Sequence, residues 1–161
     1  MYEIFGEFDS VKEINELAEN LLNEGDFDGL RTLAKENGIP EEFVDAYLNG
    51  DSEEFCDAMT AADGKLEVEA AAMKPNGIMK DWLAYIRAVN MDNETFCHQI
   101  RKKGKSLTGC IGALLKWSFA NQQAVPADVI KAAGISASRV TMGIPDMGTA
   151  KKLIRDYYMQ D

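Results

Sequence analysis

The chain has 161 residues, of which 46% are hydrophobic and 27% charged, with 27 Asp/Glu against 17 Lys/Arg and a net charge of −10. That length supports one core or a small domain joined to a smaller one, and the composition excludes wholesale disorder. The longest apolar stretches, such as Cys110 to Leu115, fall far short of the roughly 20 residues that cross a bilayer. Met1 to Phe8 carries Glu3 and Glu7 and has neither the basic start nor the apolar run of a secretory signal, so a cytoplasmic protein without membrane contact is expected.

Cys56, Cys97 and Cys110 form no C-x-x-C pair, and an odd count reads as reduced, buried thiols. The single histidine, His98, follows Cys97, and helix neighbours point about 100° apart, so the two make no ready nucleophile–base pair. A structural zinc wants four Cys or His ligands at suitable spacing. Neither a metal nor another cofactor is expected, and no catalytic residue is assigned.

Charge is distributed unevenly. Residues 1–94 hold 23 Asp/Glu against 7 Lys/Arg, whereas residues 95–161 hold 4 against 10. Such a split predicts two surfaces with different partners, or one end packing on the other; acidic helices crowded into one half for solubility are the plainer alternative.

The pattern along the chain is one of successive helices. Ser10 with Glu13 is a capping box opening a helix that carries Ile14, Leu17, Ala18, Leu21 and Leu22 on one face and stops at Gly25. A second helix starts at Asp28, holds Leu30, Leu33 and Ala34, and ends at Gly38. Pro40 suits a first helical position, with Glu41 and Glu42 at the positive end of the dipole, before Phe43, Val44, Tyr47 and Leu48. Residues 28–50 have the spacing of a helix-turn-helix, but the second helix carries Glu41, Glu42 and Asp45 and no Lys or Arg, which disfavours DNA reading by this half.

Ser52 and Glu54 predict a short fourth helix through Phe55 and Met59. Residues 61–74 read as helix up to Pro75, and Ile78 to Asn90 as another, holding Trp82, Leu83, Tyr85, Ile86 and Val89. The acidic region gives way near Met91-Asp92-Asn93, the expected boundary between an acidic helical region, 1–92, and a basic helical domain, 93–161.

Asn93 caps a helix with Phe96, Cys97, Ile100 and the run Arg101-Lys102-Lys103, closed by Gly104. A long helix from Leu107 to about Asn121 presents Leu107, Cys110, Ile111, Leu114, Leu115 and Ser118 as a core-facing stripe. Pro126 opens a short helix halted by Gly134, and a last helix from about Thr149 places Leu153, Ile154, Tyr157 and Tyr158 among Lys151, Lys152 and Arg155. The fold class is all-α, with about eight to ten short helices.

The order Phe96…Ile100, a basic run, Gly104-Lys105-Ser106-Leu107-x-Gly109-Cys110-Ile111, a helix, Val125 to Val129, and then Tyr157-Tyr158 before Asp161 resembles the PcfK-like family over roughly residues 93–161. Those proteins occur on conjugative plasmids and mobile elements of Gram-positive bacteria, and the same domain occurs in an anti-CRISPR family that inhibits the type II RNA-guided DNA nuclease. The resemblance implies a bacterial cytoplasmic protein whose partner is that CRISPR nuclease or its guide complex. The alternative it implies is an accessory protein of plasmid transfer that binds DNA or the transfer complex.

Ile144 to Lys152 reads either as the loop and second helix of a helix-hairpin-helix, offering backbone N–H groups to a phosphate, or as a plain turn into a helix. Arg101, Lys102, Lys103, Lys105, Lys116, Arg139, Lys151, Lys152 and Arg155 are the candidate contacts to DNA or RNA phosphates or to a protein partner, with ordinary solvated lysines as the alternative. Trp117 is a core residue or, less simply, a base-stacking platform. Carboxylates are abundant but have no partner histidine and no nucleotide motif beside them, so binding without catalysis is expected, and a homodimer stays open.

Overall fold

The computed structural model describes residues 1–160, so Asp161, the last residue of the family-like pattern, lies outside the described residues. Short polar side chains start most of the helices. Ser10 Oγ accepts from the Glu13 amide at 3.2 Å to open α1 (Val11–Glu24), and Asp26 accepts from Gly29 at 2.8 Å to open α2 (Phe27–Glu36). Pro40 precedes α3 (Glu41–Leu48), and Asp57 accepts from Thr60 at 2.7 Å to open α4 (Ala58–Met73). After Gly77 comes α5 (Ile78–Asp92); Asn93 then caps α6 (Glu94–Arg101), and Ser106 caps α7 (Leu107–Ala120). The chain continues through β1 (Gln123–Ala124), α8 (Ala127–Ala132), β2 (Thr141–Met142) and α9 (Met147–Met159).

The described residues thus hold nine helices, 65% of the chain, in line with the all-α expectation. Three local expectations are corrected. Residues 51–57 form no helix: Ser52 Oγ donates to the Glu54 carbonyl at 2.6 Å, and this bend drops Phe55 and Cys56 into the core. The second helix starts at Phe27, not Asp28, because Asp26 is its cap. Two short strands, absent from the all-helical expectation, pair antiparallel, with Gln123 opposite Met142 and Ala124 opposite Thr141.

Two apolar clusters share one helix. The first gathers Ile14, Ala18, Leu30, Leu33, Val44 and Phe55 from α1, α2, α3 and the bend after them, and it ends on Ala61 of α4. The second gathers Ala62 and Leu66 of α4 with Trp82, Ile86, Phe96, Ile100, Leu114, Ile154 and Tyr158. Consecutive residues of α4 therefore belong to different cores, and its solvent-facing side is reduced to a strip along Met59, Asp63, Glu67 and Ala71. Packing runs straight across Asp92–Asn93, since α5 on one side and α6 on the other lie in the same cluster. The cores divide within α4, between Ala61 and Ala62, and not at the change in charge near residue 92.

Between the clusters lies a polar seam. Lys65 of α4 is fully buried, and its Nζ donates to Glu7 Oε1 at 2.7 Å and to the Lys102 carbonyl at 2.9 Å. Glu69, one turn on, accepts from the Leu107 amide at 2.6 Å, which satisfies an open N–H at the start of α7. Burial raises the Glu69 carboxyl above its ordinary 4.5, against the opposing pull of the Leu107 amide and Lys65. The folded chain therefore holds this proton more tightly than the unfolded one, and the contribution of Glu69 is fullest below pH 4.5 and is lost as pH rises. Glu69→Gln, which mimics the protonated carboxyl, is expected to gain stability relative to the native chain between pH 4 and pH 7, as read from urea midpoints.

The seam is also closed by two glycines. Gly38 has φ +65°, and a Cβ on it would collide with the backbone of Gly64; a Cβ on Gly64 would collide with the Asn37 carbonyl. Gly64→Ala is expected to cost about 1–3 kcal/mol by overpacking. Gly112→Ala, on α7 with open space around it, should stabilise by up to about 1 kcal/mol. Denaturant unfolding of the two variants measures both signs.

Candidate macromolecular interface

The nine candidate cations do not form one face. Arg101, the last residue of α6, is 1% exposed: its Nη2 donates to Asn37 Oδ1 at 2.8 Å, and the guanidinium lies over the Tyr2 ring at 5.8 Å. It spans the seam and cannot reach a partner without unfolding, a correction to its assignment as a contact. The stem of the basic run simply points inward, because Ile100 and Arg101 continue the buried side of α6. Lys102 is half-buried and lends its carbonyl to Lys65. Lys103 is exposed, and its amide donates to Asp9 Oδ1 at 2.9 Å.

Lys105 is also committed internally. Its Nζ donates to the Tyr157 carbonyl at 2.9 Å and to the Gln160 carbonyl, so it satisfies the last carbonyls of α9, where a cation also meets the negative end of the helix dipole. The same ammonium lies 5.5 Å from the centre of the Tyr157 ring. Tyr157 Oη in turn accepts from the Ser106 amide at 2.9 Å, and Gly109 leaves room for that hydroxyl, since a Cβ there would strike it. Tyr158 is fully buried, edge-on to Phe96 at 5.3 Å. The residues that carry the family-like pattern, Lys105-Ser106-x-x-Gly109 and Tyr157-Tyr158, thus meet in space as a lock between the start of α7 and the end of α9.

Five further cations, Lys116, Arg139, Lys151, Lys152 and Arg155, face solvent. Lys151 and Arg155 flank the Tyr85 ring at 5.2 and 5.9 Å, and Lys152 pairs with Asp156 at 2.5 Å. Lys131 on α8, outside the candidate set, is exposed as well. The start of α9 is not open to a phosphate: Asp146 accepts from the Thr149 amide at 3.0 Å and from its hydroxyl at 2.7 Å. The Thr149 hydroxyl and amide hold the Asp146 carboxyl below its ordinary value, so an anion already occupies that helix end. Of the two readings of Ile144 to Lys152, the structure favours the helix-start turn.

The segment from Asn121 to Ile144 is an arm. It leaves the end of α7, pairs β1 with β2, carries α8 between them, and contains no fully buried side chain. The arm closes on α7 where Gly143 approaches the Ser118 carbonyl too closely for any Cβ. Its apolar residues point outward: Val129 is 54% exposed, Met142 62% and Ile144 62%, and Phe119 at the end of α7 is 77% exposed. Leu115, assigned to the core stripe of α7, belongs instead to this exposed surface, whereas Leu107, Cys110, Ile111 and Leu114 are buried as expected. Trp117 is half-buried and lines a groove of about 490 Å³ with Val125, Pro126, Val129, Met142 and Ile144. Exposed apolar surface of this extent, in an arm that also carries the exposed Lys131 and Arg139, has the composition of a binding site, and sequence periodicity cannot reveal it. The strands are too short, and their partners lie too far apart in the chain.

All three cysteines are buried with free thiols, and burial pushes Cys56 and Cys110 up to about 12. Among the described residues no helix is long and apolar enough to cross a membrane. Phe119→Ser and Met142→Ser are expected to change stability by less than about 0.5 kcal/mol, since both side chains are already in water. Leu114→Ala, on the opposite face of α7, should cost about 2–5 kcal/mol; thermal and urea melts of the three variants test the assignment. No known protein family, curated protein or solved structure matches the chain.

Proposed function

We propose that this protein is an anti-CRISPR-type inhibitor that binds a type II RNA-guided DNA nuclease and blocks target DNA binding or cleavage. The observation that carries the reading is the surface of the first three helices. Every Asp and Glu from Asp9 to Asp57 is exposed except Glu36, and only Lys12, Arg31 and Lys35 balance them. Such enzymes hold guide and target in positively charged channels, and an anionic surface of this density is attracted to them over long range and competes with nucleic acid. The PcfK-like pattern of residues 93–161 is the second support. The exposed apolar arm, which also carries Lys131 and Arg139, supplies a contact that does not depend on charge alone.

A second reading has its own observation. Lys116, Lys131 and Arg139 around the arm, with Lys151 and Arg155 on α9, would suit an accessory protein of plasmid transfer that touches DNA phosphates directly. One experiment separates the two: DNA cleavage by the guide-loaded nuclease with increasing amounts of the full chain, beside a gel-shift of bare duplex. Inhibition that weakens as salt rises, and that is reduced at least about tenfold by Glu41→Lys with Glu42→Lys and Asp45→Lys, is the expected outcome. Complete cleavage at large excess of the protein removes the inhibitor reading, and tight binding to bare duplex then favours the transfer role.

A further inference from the structure

Away from the arm, where α3, α4 and α5 converge, a pocket of about 400 Å³ opens at the seam between the two cores. That is the size of a small-ligand or single-side-chain site. It exists because the backbones of Gly38 and Gly64 touch below it, bringing the turn before α3 onto α4 while the side chains above them diverge. Pro40 and Phe43 form one wall, Met59, Thr60 and Asp63 a second, and Arg87, Asn90 and Met91 the third.

Asn90 is the informative residue. It is 1% exposed, yet its Oδ1 has no hydrogen-bond partner. The orientation of the amide is fixed by its neighbour: Asn90 Nδ2 donates to the Met59 carbonyl at 3.3 Å, and a carbonyl can only accept, so the oxygen is the atom left over. A buried acceptor without a donor is costly, and a leucine or methionine here would pack without that cost. Its retention beside an open pocket points to a donor that arrives from outside. Arg87 in the same pocket is ion-paired with Asp63 at 3.7 Å and with Glu67, although its Nε, like Asn90 Oδ1, is buried without a hydrogen-bond partner. The lips are Met59 and Met91, 43% and 72% exposed, flexible thioethers that adapt to a flat ring. Beyond them the exposed carboxylates Glu42, two residues after Pro40, and Asp92, next to Met91, make the rim anionic, while Glu41 is paired with Arg31.

We propose that this pocket is an anchor site for a tryptophan or tyrosine side chain presented by a basic segment of a partner protein, the ring N–H or O–H donating to Asn90 Oδ1. Apolar walls select the ring, the unpaired amide oxygen selects a donor on it, and the acidic rim selects cationic neighbours. Buried aromatic anchors of this kind dominate protein interfaces. The inference does not depend on which protein supplies the segment, and it survives if the nuclease reading fails.

The test uses the full chain with 13C-labelled methionine methyl groups, read by NMR during titration with three probes: acetyl-Lys-Trp-Lys-amide, acetyl-Lys-Phe-Lys-amide and free indole. The tryptophan peptide is expected to shift the Met59 and Met91 methyl signals, with the phenylalanine peptide weaker by at least about tenfold because it leaves Asn90 unpaired. Thr60→Phe, which fills the pocket from its wall while leaving the Asp57 cap to the backbone amide intact, should abolish the shifts without lowering the melting temperature. Equal binding of the two peptides, or binding retained in Thr60→Phe, overturns the proposal, as does the absence of shifts at Met59 and Met91. Free indole binding as tightly as the tryptophan peptide would make this a small-molecule site and equally overturn the assignment to a protein side chain.

Discussion

A lysine ammonium with no access to solvent organises the middle of this molecule. Lys65 sits on the helix that both cores share, and its contacts reach the segment before α1, through Glu7, and the chain just after α6, through the Lys102 carbonyl. Glu69, on the same side of the helix, holds the first amide of α7. Isolated burial of such a charge would be prohibitive, so these acceptors must stay in place together, and the segments that carry them are fixed relative to one another. Arg101 repeats the arrangement a short distance away, tying the end of α6 to Asn37 between α2 and α3. The two apolar clusters are thus joined by polar contacts of defined geometry, which fix their relative placement more narrowly than apolar packing alone would.

That arrangement changes the meaning of the basic run near residue 101. Read as a string, Arg101-Lys102-Lys103-x-Lys105 looks like a strip that meets phosphate. In the fold its members are divided: Arg101 crosses the seam, Lys102 gives its carbonyl to Lys65, and Lys105 closes the end of α9 over Tyr157. The motif that prompts comparison with PcfK-like proteins is therefore held together by structural chemistry. Ser106, Gly109 and Tyr157 depend on one another through a hydroxyl, an amide and the space a missing Cβ leaves. Such a lock constrains sequence as strongly as a binding site does, and its presence speaks to architecture before it speaks to partner.

Local signals were readable because their physics is local. Ser10, Asn93 and Ser106 cap helices where a short side chain three residues ahead of an amide must, and Gly25 ends α1 in the left-handed conformation expected of it. The apolar faces of α1, α2 and α6 follow the helical period closely. What could not be read depends on distant partners. Nothing near Arg101 in the chain announces Asn37, and nothing around Val125 announces its bond to Val140, at 2.9 Å. The bend at 51–57 departs from its helical pattern because Ser52 bonds forward to a carbonyl in place of capping an amide. Asn90 is silent in the sequence for a similar reason: a lone asparagine near a helix end carries no signal until its surroundings are known.

The arm between Asn121 and Ile144 has a consequence for how this chain can change over time. It supplies outward-facing apolar surface while contributing no fully buried side chain, so its composition is decoupled from the folding equilibrium of the helices that support it. Residues in the turn from Gly134 to Arg139 can be exchanged or lengthened with little penalty, since loop closure grows only slowly with length. Drift in recognition is thereby separated from drift in stability: a new counterpart can be accommodated by altering the arm while the seam around Lys65 stays as it is.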